Sequence, residues 1–109
     1  MSNIYDIISG IEIGSDEYLP ARYSHFPNEE APKPPFLVYL GAGQEQFEAD
    51  DTIYWKRNVY TVEYYFEQKN EDLENKIEQA LLDGGYQYDK SDDSFIESEG
   101  LFVIYYTLQ

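Results

Sequence analysis

Any chemistry in this chain would have to come from carboxylates. Twenty-two Asp and Glu stand against seven Lys and Arg, one histidine and no cysteine. Without cysteine there are no disulfides, thiolate metal sites or thiol nucleophiles. His25 sits in the proline-bounded stretch "YLPARYSHFPNEEAPKPP". A catalytic triad would need folding to carry both a serine and an acid to it, so a turn or interface histidine is the better reading. Carboxylate pairs do acid–base work only where contrasting surroundings drive their two pKa values apart. The runs "ADD" and "SDD" read as exposed, where both groups ionise. Glu74 and Glu78 fall among the polar positions of a helix and read as its solvated side. Asp89, Ser91 and Asp93 alternate as in a calcium loop, but Ser94 takes the glycine position and Gly100 that of the closing glutamate. "GAGQEQFEADD" opens with GxG and lacks both the third glycine and a following helix. The expectation is no catalytic, cofactor-binding or metal-binding residue, and no enzyme.

The charge narrows the partners. A formal net charge of -15 disfavours gripping a phosphate backbone, which depends on Lys and Arg replacing counterions. It disfavours anionic membranes for the same reason. It is compatible with solubility, with repulsion of DNA, or with mimicry of DNA. Twelve tyrosines beside one tryptophan suit half-wet surfaces between subunits, and equally suit a sheet-rich domain. The N-terminal "MSNIYDIISG" has neither the basic region nor the apolar run of a signal peptide. "FLVYL" and "LFVIYY" are far too short to span a bilayer. Cytoplasmic synthesis and folding are expected.

The elements that must position these residues fit one domain over residues 1–109. Ser2 is a candidate cap for a short helix with Ile4, Ile7, Ile8 and Ile11 on one face. Residues 15–35 read as irregular, with "ARYSHF" able to supply an edge strand and "PKPP" acting as a stiff spacer. Phe36 to Leu40 reads as a strand ended by glycines, followed by a flexible acidic segment carrying Phe47. In "ADDTIYWKRNVYTVEYYF", Tyr60, Val62, Tyr64 and Phe66 share the face to be buried under helices. Before Asn58 the contrast between faces weakens, as in a strand that has run beyond the core and projects as one arm of a long hairpin with "PFLVYL". Residues 70–85 give the clearest helix, capped by Asn70, stopped by Gly84 or Gly85, with an apolar stripe of Leu73, Ile77, Ala80 and Leu81. "GYQYDK" and "SFIESEG" read as a hairpin around an acidic turn, and "LFVIYYTLQ" as the last strand. The sum is an α+β fold with a mostly antiparallel sheet of four to five strands, packed by two helices.

With this order of elements, the short N-terminal helix, "PPFLVYLGAG", "FEADDTIYWKRNVYTVEYYFEQKNEDLENKIEQAL" and "ESEGLFVIYYTLQ" resemble the tail completion or tail-terminator proteins of long-tailed bacteriophages and prophages. The likeness covers roughly residues 20 to 109 and rests on element order and texture rather than on a short signature. It implies a small subunit that forms a ring, usually a hexamer, at the head-proximal end of the tail tube. Such a ring stops tube growth, presents a docking face to the head connector, and lets DNA through its centre. The implied setting is the virion tail, with host cytoplasm during assembly; the implied partners are copies of itself, the tail tube protein and the head connector protein.

An acidic chain suits a ring around a DNA path, since phosphates captured by bases would retard ejection. Like-charged subunits repel, however, and local bases at their contacts would offset this. On this reading Trp55 is an apolar anchor on the hairpin arm, and Lys56 and Arg57 meet acids such as Asp50 or Asp51 of the adjoining copy, with Phe47 nearby. Cross-strand pairing with Glu45 or Glu48 in the same hairpin is the intramolecular alternative. Other readings are an acidic DNA mimic that occupies a host DNA-binding protein, another head–tail connector or minor capsid protein, and, last, a small hydrolase.

Overall fold

The computed structural model describes residues 3–26, 32–49 and 52–109, with positions 46–49 and 52–55 described by their backbone alone. The fold is α+β. Chain order is α1 (Ile4–Ile8), β1 (Glu12–Gly14), β2 (Glu17–Tyr18), β3 (Ala21–Tyr23), β4 (Phe36–Ala49), β5 (Thr52–Phe66), α2 (Glu71–Asp83), β6 (Tyr88–Lys90), β7 (Ser94–Ile96) and β8 (Leu101–Leu108). Among the described residues β1 and β2 form a small separate ladder. The remaining six strands make one sheet in the order β3-β4-β5-β8-β6, with β7 also on β8. Every pairing in this sheet is antiparallel except β3 beside β4, which is parallel.

Both helices cover one face. Leu37, Val62, Tyr64, Phe66, Ile104, Tyr106 and Leu108 of the sheet pack against Ile4 and Ile8 of α1 and Leu73, Ile77 and Leu81 of α2. Period-two alternation on the strands thus meets a helical stripe, and removal of these side chains from water is the main stabilising contribution. Gly84, where α2 ends, lets the helices close up: a Cβ there would sit 2.5 Å from Ile7 Cδ1. Val38, Val59 and Val103 are buried on their own account, outside that helix-covered core.

Several expectations change. Asn3, rather than Ser2, caps α1, its side-chain oxygen accepting from the Asp6 amide at 2.9 Å; Ser2 lies outside the described residues. Asn70 caps α2 as expected, accepting from the Leu73 amide at 3.1 Å. The segment expected to be irregular contains β2 and β3, and "ARYSHF" supplies its edge strand through Ala21–Tyr23. The strand at Phe36 does not end at its glycines. It continues to Ala49 because Gly43, at φ 103°, takes up a bulge between Gly41 and Gln44 that a side chain would resist. β6 and β7 do not pair with each other. Both pair with β8, β6 at its end and β7 at its start, so they form one interrupted edge strand. The interruption is fastened by Ser91, whose amide donates to the Tyr105 carbonyl and whose hydroxyl accepts from the Tyr105 amide at 2.8 Å.

Candidate assembly interface

The β4–β5 hairpin consists of two physically different parts. From Phe36 to Leu40 it lies inside the sheet: β3 pairs with Leu37–Tyr39 on one side, and β8 pairs with Thr61–Phe66 on the other. Beyond the bulge, Gln44–Ala49 and Thr52–Asn58 pair only with each other among the described residues. Nine residues of β5, from Thr52 to Tyr60, thus lie past the last β8 partner, about 30 Å of extended chain at ~3.3 Å per residue. The molecule is accordingly elongated, 51 Å by 32 Å by 27 Å, with a radius of gyration of 15.2 Å. A compact chain of this length would have roughly 13 Å.

A two-stranded ribbon is marginal in water on its own, and here its base is pinned. Arg57 Nε pairs with Glu45 Oε2 across the ribbon at 3.2 Å. Its Nη1 donates to the Gly85 carbonyl at 3.0 Å, and its guanidinium lies 4.8 Å from the centre of the Tyr86 ring. One side chain therefore ties the ribbon to the turn that follows α2, combining a part-exposed ion pair with a cation–π contact.

The proposed interface residues distribute along this ribbon unequally. Phe47 and Trp55 are direct cross-strand partners in the distal part. Lys56 is exposed and stands opposite Gln46. Arg57 is engaged within its own chain by Glu45, the partner named in the intramolecular alternative. Asp50 and Asp51 lie outside the described residues. The structure thus places Phe47, Trp55 and Lys56 on the ribbon beyond the core, with Lys56 at a position of the opposite face from the Phe47–Trp55 pair, and it engages Arg57 within its own chain.

A second constellation escaped the sequence reading. Glu74 and Glu78, expected on the solvated side of α2, face inward; Glu74 is only 1 % exposed. Glu74 Oε2 lies 2.8 Å from Lys69 Nζ and its Oε1 lies 2.9 Å from Lys90 Nζ. Lys90 also reaches Glu78 at 2.8 Å, and Lys69 reaches Asp93 at 3.1 Å. Glu78 accepts from the hydroxyls of Tyr88 at 3.0 Å and Tyr106 at 2.8 Å. Burial alone would raise the Glu78 pKa, but the bonds from Lys90, Tyr106 and Tyr88 outweigh it and hold the carboxyl below its ordinary value. Burial likewise acts to lower Lys90, and its bonds to Glu78 and Glu74 reverse that into a raised pKa. Burial, with the neighbouring Glu74 charge, pushes Tyr64 up to about 12. In this network each carboxylate has a lysine partner, so it works as an ionic clamp joining α2 to the β6 edge.

The residues resembling a calcium loop point elsewhere. Asp89 accepts from the Gln109 side chain, Asp93 pairs with Lys69, and Ser91 is occupied by Tyr105. Among the described residues no group of His, Asp or Glu is arranged to hold a metal ion. His25 is exposed, its Nδ1 3.1 Å from Ser24 Oγ. Likewise, no helix among the described residues is long and apolar enough to cross a membrane. No protein-family model and no curated protein matches this chain.

Proposed function

We propose that this chain is a structural assembly subunit that joins copies of itself and adjacent components through the distal β4–β5 ribbon. The observation that carries this reading is the ribbon itself. It extends past the sheet, its outer edges have no strand partner among the described residues, and the aromatic positions Phe47 and Trp55 face each other across it. Unpaired strand edges are templates for another chain, and folds normally shorten or cover them. A 15-residue β5 that outruns its neighbour is hard to account for in a molecule that works alone.

The role that suits such a subunit best is the one implied by the resemblance. It is a ring, hexameric in that family, that closes the head-proximal end of a phage tail tube and receives the head connector. The net charge of -15 supports this reading, because a ring around a DNA path must not hold the DNA. In this role Trp55 and Phe47 anchor the neighbouring copy and Lys56 offsets the mutual repulsion of the acidic subunits. The DNA-mimic reading has less support, since Glu45, Glu74, Glu78 and Asp93 are paired with Arg57, Lys69 and Lys90 rather than set out as a bare row.

Native mass measurement with and without purified tail tubes tests the proposal. The wild-type chain should form a closed ring, alone or on the tubes, and the Trp55→Ala, Lys56→Glu double variant should stay monomeric with an unchanged circular dichroism spectrum. Equal assembly of the two proteins, or retention on duplex DNA at moderate salt, would count against it.

A further inference from the structure

The sheet face turned away from the helices is neither bare nor fully covered. At one end the Ser24–Phe26 segment and Pro32–Pro34 rise over it and leave an open trough of about 420 Å³. Ligand sites span roughly 300–1,000 Å³, so this one holds one or two side chains rather than a helix. Its floor is Val38, and its aromatic wall is built in register. Phe36 stacks on Tyr65 at 5.1 Å between ring centres, and Phe26 meets Phe36 edge-on at 5.3 Å. Across from that wall stand Glu67 and Glu99, both exposed, beside Leu101. Tyr65 donates to Glu63 at 2.6 Å, which draws a third carboxylate to the same face. Burial, the Glu63 bond, and the charges of Glu63 and Glu99 all raise the Tyr65 pKa, so negative charge converges here.

The chain has little with which to answer that charge. Arg57, Lys69, Lys76 and Lys90 bond to acceptors elsewhere in the fold, and Arg22 lies over the outer Phe26 ring at 5.9 Å. Of the seven bases this leaves Lys33 and Lys56, both exposed. Glu67 and Glu99 have no ion-pair partner among the described residues. Aromatic faces flanked by carboxylates attract a cation twice over, through the ring quadrupole and through the charge.

We propose that the trough lined by Phe26, Phe36, Tyr65, Glu67 and Glu99 is a docking site for an extended, arginine- or lysine-bearing segment of a different protein. The partner's basic side chain lies along the Phe36–Tyr65 stack with its charged end between Glu67 and Glu99. The apolar stem covers Val38 and Leu101, as long basic side chains do on apolar ground. A second copy of this chain is the poorer occupant, because a molecule of charge -15 has among the described residues only two bases, Lys33 and Lys56, that are not already engaged within its own fold, and Lys33 stands between Pro32 and Pro34, which wall the trough. This site lies on the core sheet and stands independently of the assembly role given to the ribbon.

The test is selection of short random peptides on the immobilised full chain, followed by affinity measurement with the enriched peptides made synthetically. Enriched peptides should carry Arg or Lys next to aromatic or aliphatic residues, and a Glu67→Gln, Glu99→Gln variant should bind them about tenfold more weakly or worse. A Glu71→Gln, Asp72→Asn variant removes the same charge from the exposed start of α2 and should bind them as the wild type does. Failure to enrich any peptide, enrichment without basic residues, or equal loss in both variants would overturn the proposal. So would a changed oligomeric state of the trough variant, which would make the occupant a second copy.

Discussion

The two halves of the β4–β5 hairpin share one antiparallel ladder and put it to opposite uses. In the proximal half, Leu37 and Tyr39 pair with Tyr64 and Val62, a third strand adds on each side, and two helices close the face. In the distal half the ladder continues past Gly43, but no third strand joins it among the described residues. The difference lies in the neighbours rather than in the hydrogen bonds of the ladder. Burial makes the proximal half the fold's core, while among the described residues the distal half is held by the Arg57–Glu45 ion pair, the Gln44–Asn58 side-chain bond, and Arg57 against Gly85 and Tyr86. The fold thus has a stable platform and a segment whose outer edges no strand covers among the described residues, which is the basis of the assembly role proposed for it.

That contrast can be broken from the core side. Tyr64→Ala should have the largest effect, about 3–5 kcal/mol by denaturant titration, because a fully buried ring stacked on Phe66 leaves a cavity. A loss below about 1 kcal/mol would mean that the proximal half is not the platform. Glu74→Gln should follow at about 2 kcal/mol, less than for a fully buried pair because Lys69 and Lys90 can turn their amines to water. The same clamp gives a pH dependence. Glu78 has a lowered folded pKa, so its contribution is complete above the ordinary value of 4.5 and is lost as pH falls through the lowered one. Thermal unfolding followed downward from neutral pH should show this loss, and a Glu78→Gln variant should lack that share of it.

The distal half should respond differently. Arg57→Ala should cost about 1 kcal/mol or less of global stability, since the ion pair it removes is part-exposed. It should nevertheless speed amide exchange along residues 44–49 and 52–58, because the ribbon loses its pin. Lys56→Glu should be the smallest effect, within about 0.5 kcal/mol for an exposed position. Its consequence should appear in assembly, as a weakened or absent ring, and a stability loss as large as that of Glu74→Gln would erase the distinction between the halves.

Much of this was legible in the sequence. The alternation Tyr60, Val62, Tyr64, Phe66 identified the buried face, and the fading contrast before Asn58 identified the projecting end, because both depend on period-two geometry alone. The Asn70 cap was legible for a similar local reason. The course of β4 through "GAG" was not, since a glycine pair reads equally as a turn or a bulge and only the β5 ladder decides. Glu74 shows a subtler failure. Its spacing to Ile77 and Leu81, three and seven residues on, places it on the helix's inner stripe, but its charge argued for water. The partners that reverse that argument, Lys69 and Lys90, lie on separate segments that only folding brings to Glu74. The trough was hidden for the same reason, being assembled from four stretches of chain.

Hydrogen–deuterium exchange of the free chain and of the chain added to purified tail tubes tests the central claim most directly. Amides of residues 44–49 and 52–58 should exchange faster than those of residues 61–66 in the free chain and become strongly protected on assembly, while those of residues 61–66 stay protected throughout. Ribbon amides that remain equally exposed in both samples, with the chain still monomeric, would contradict the account.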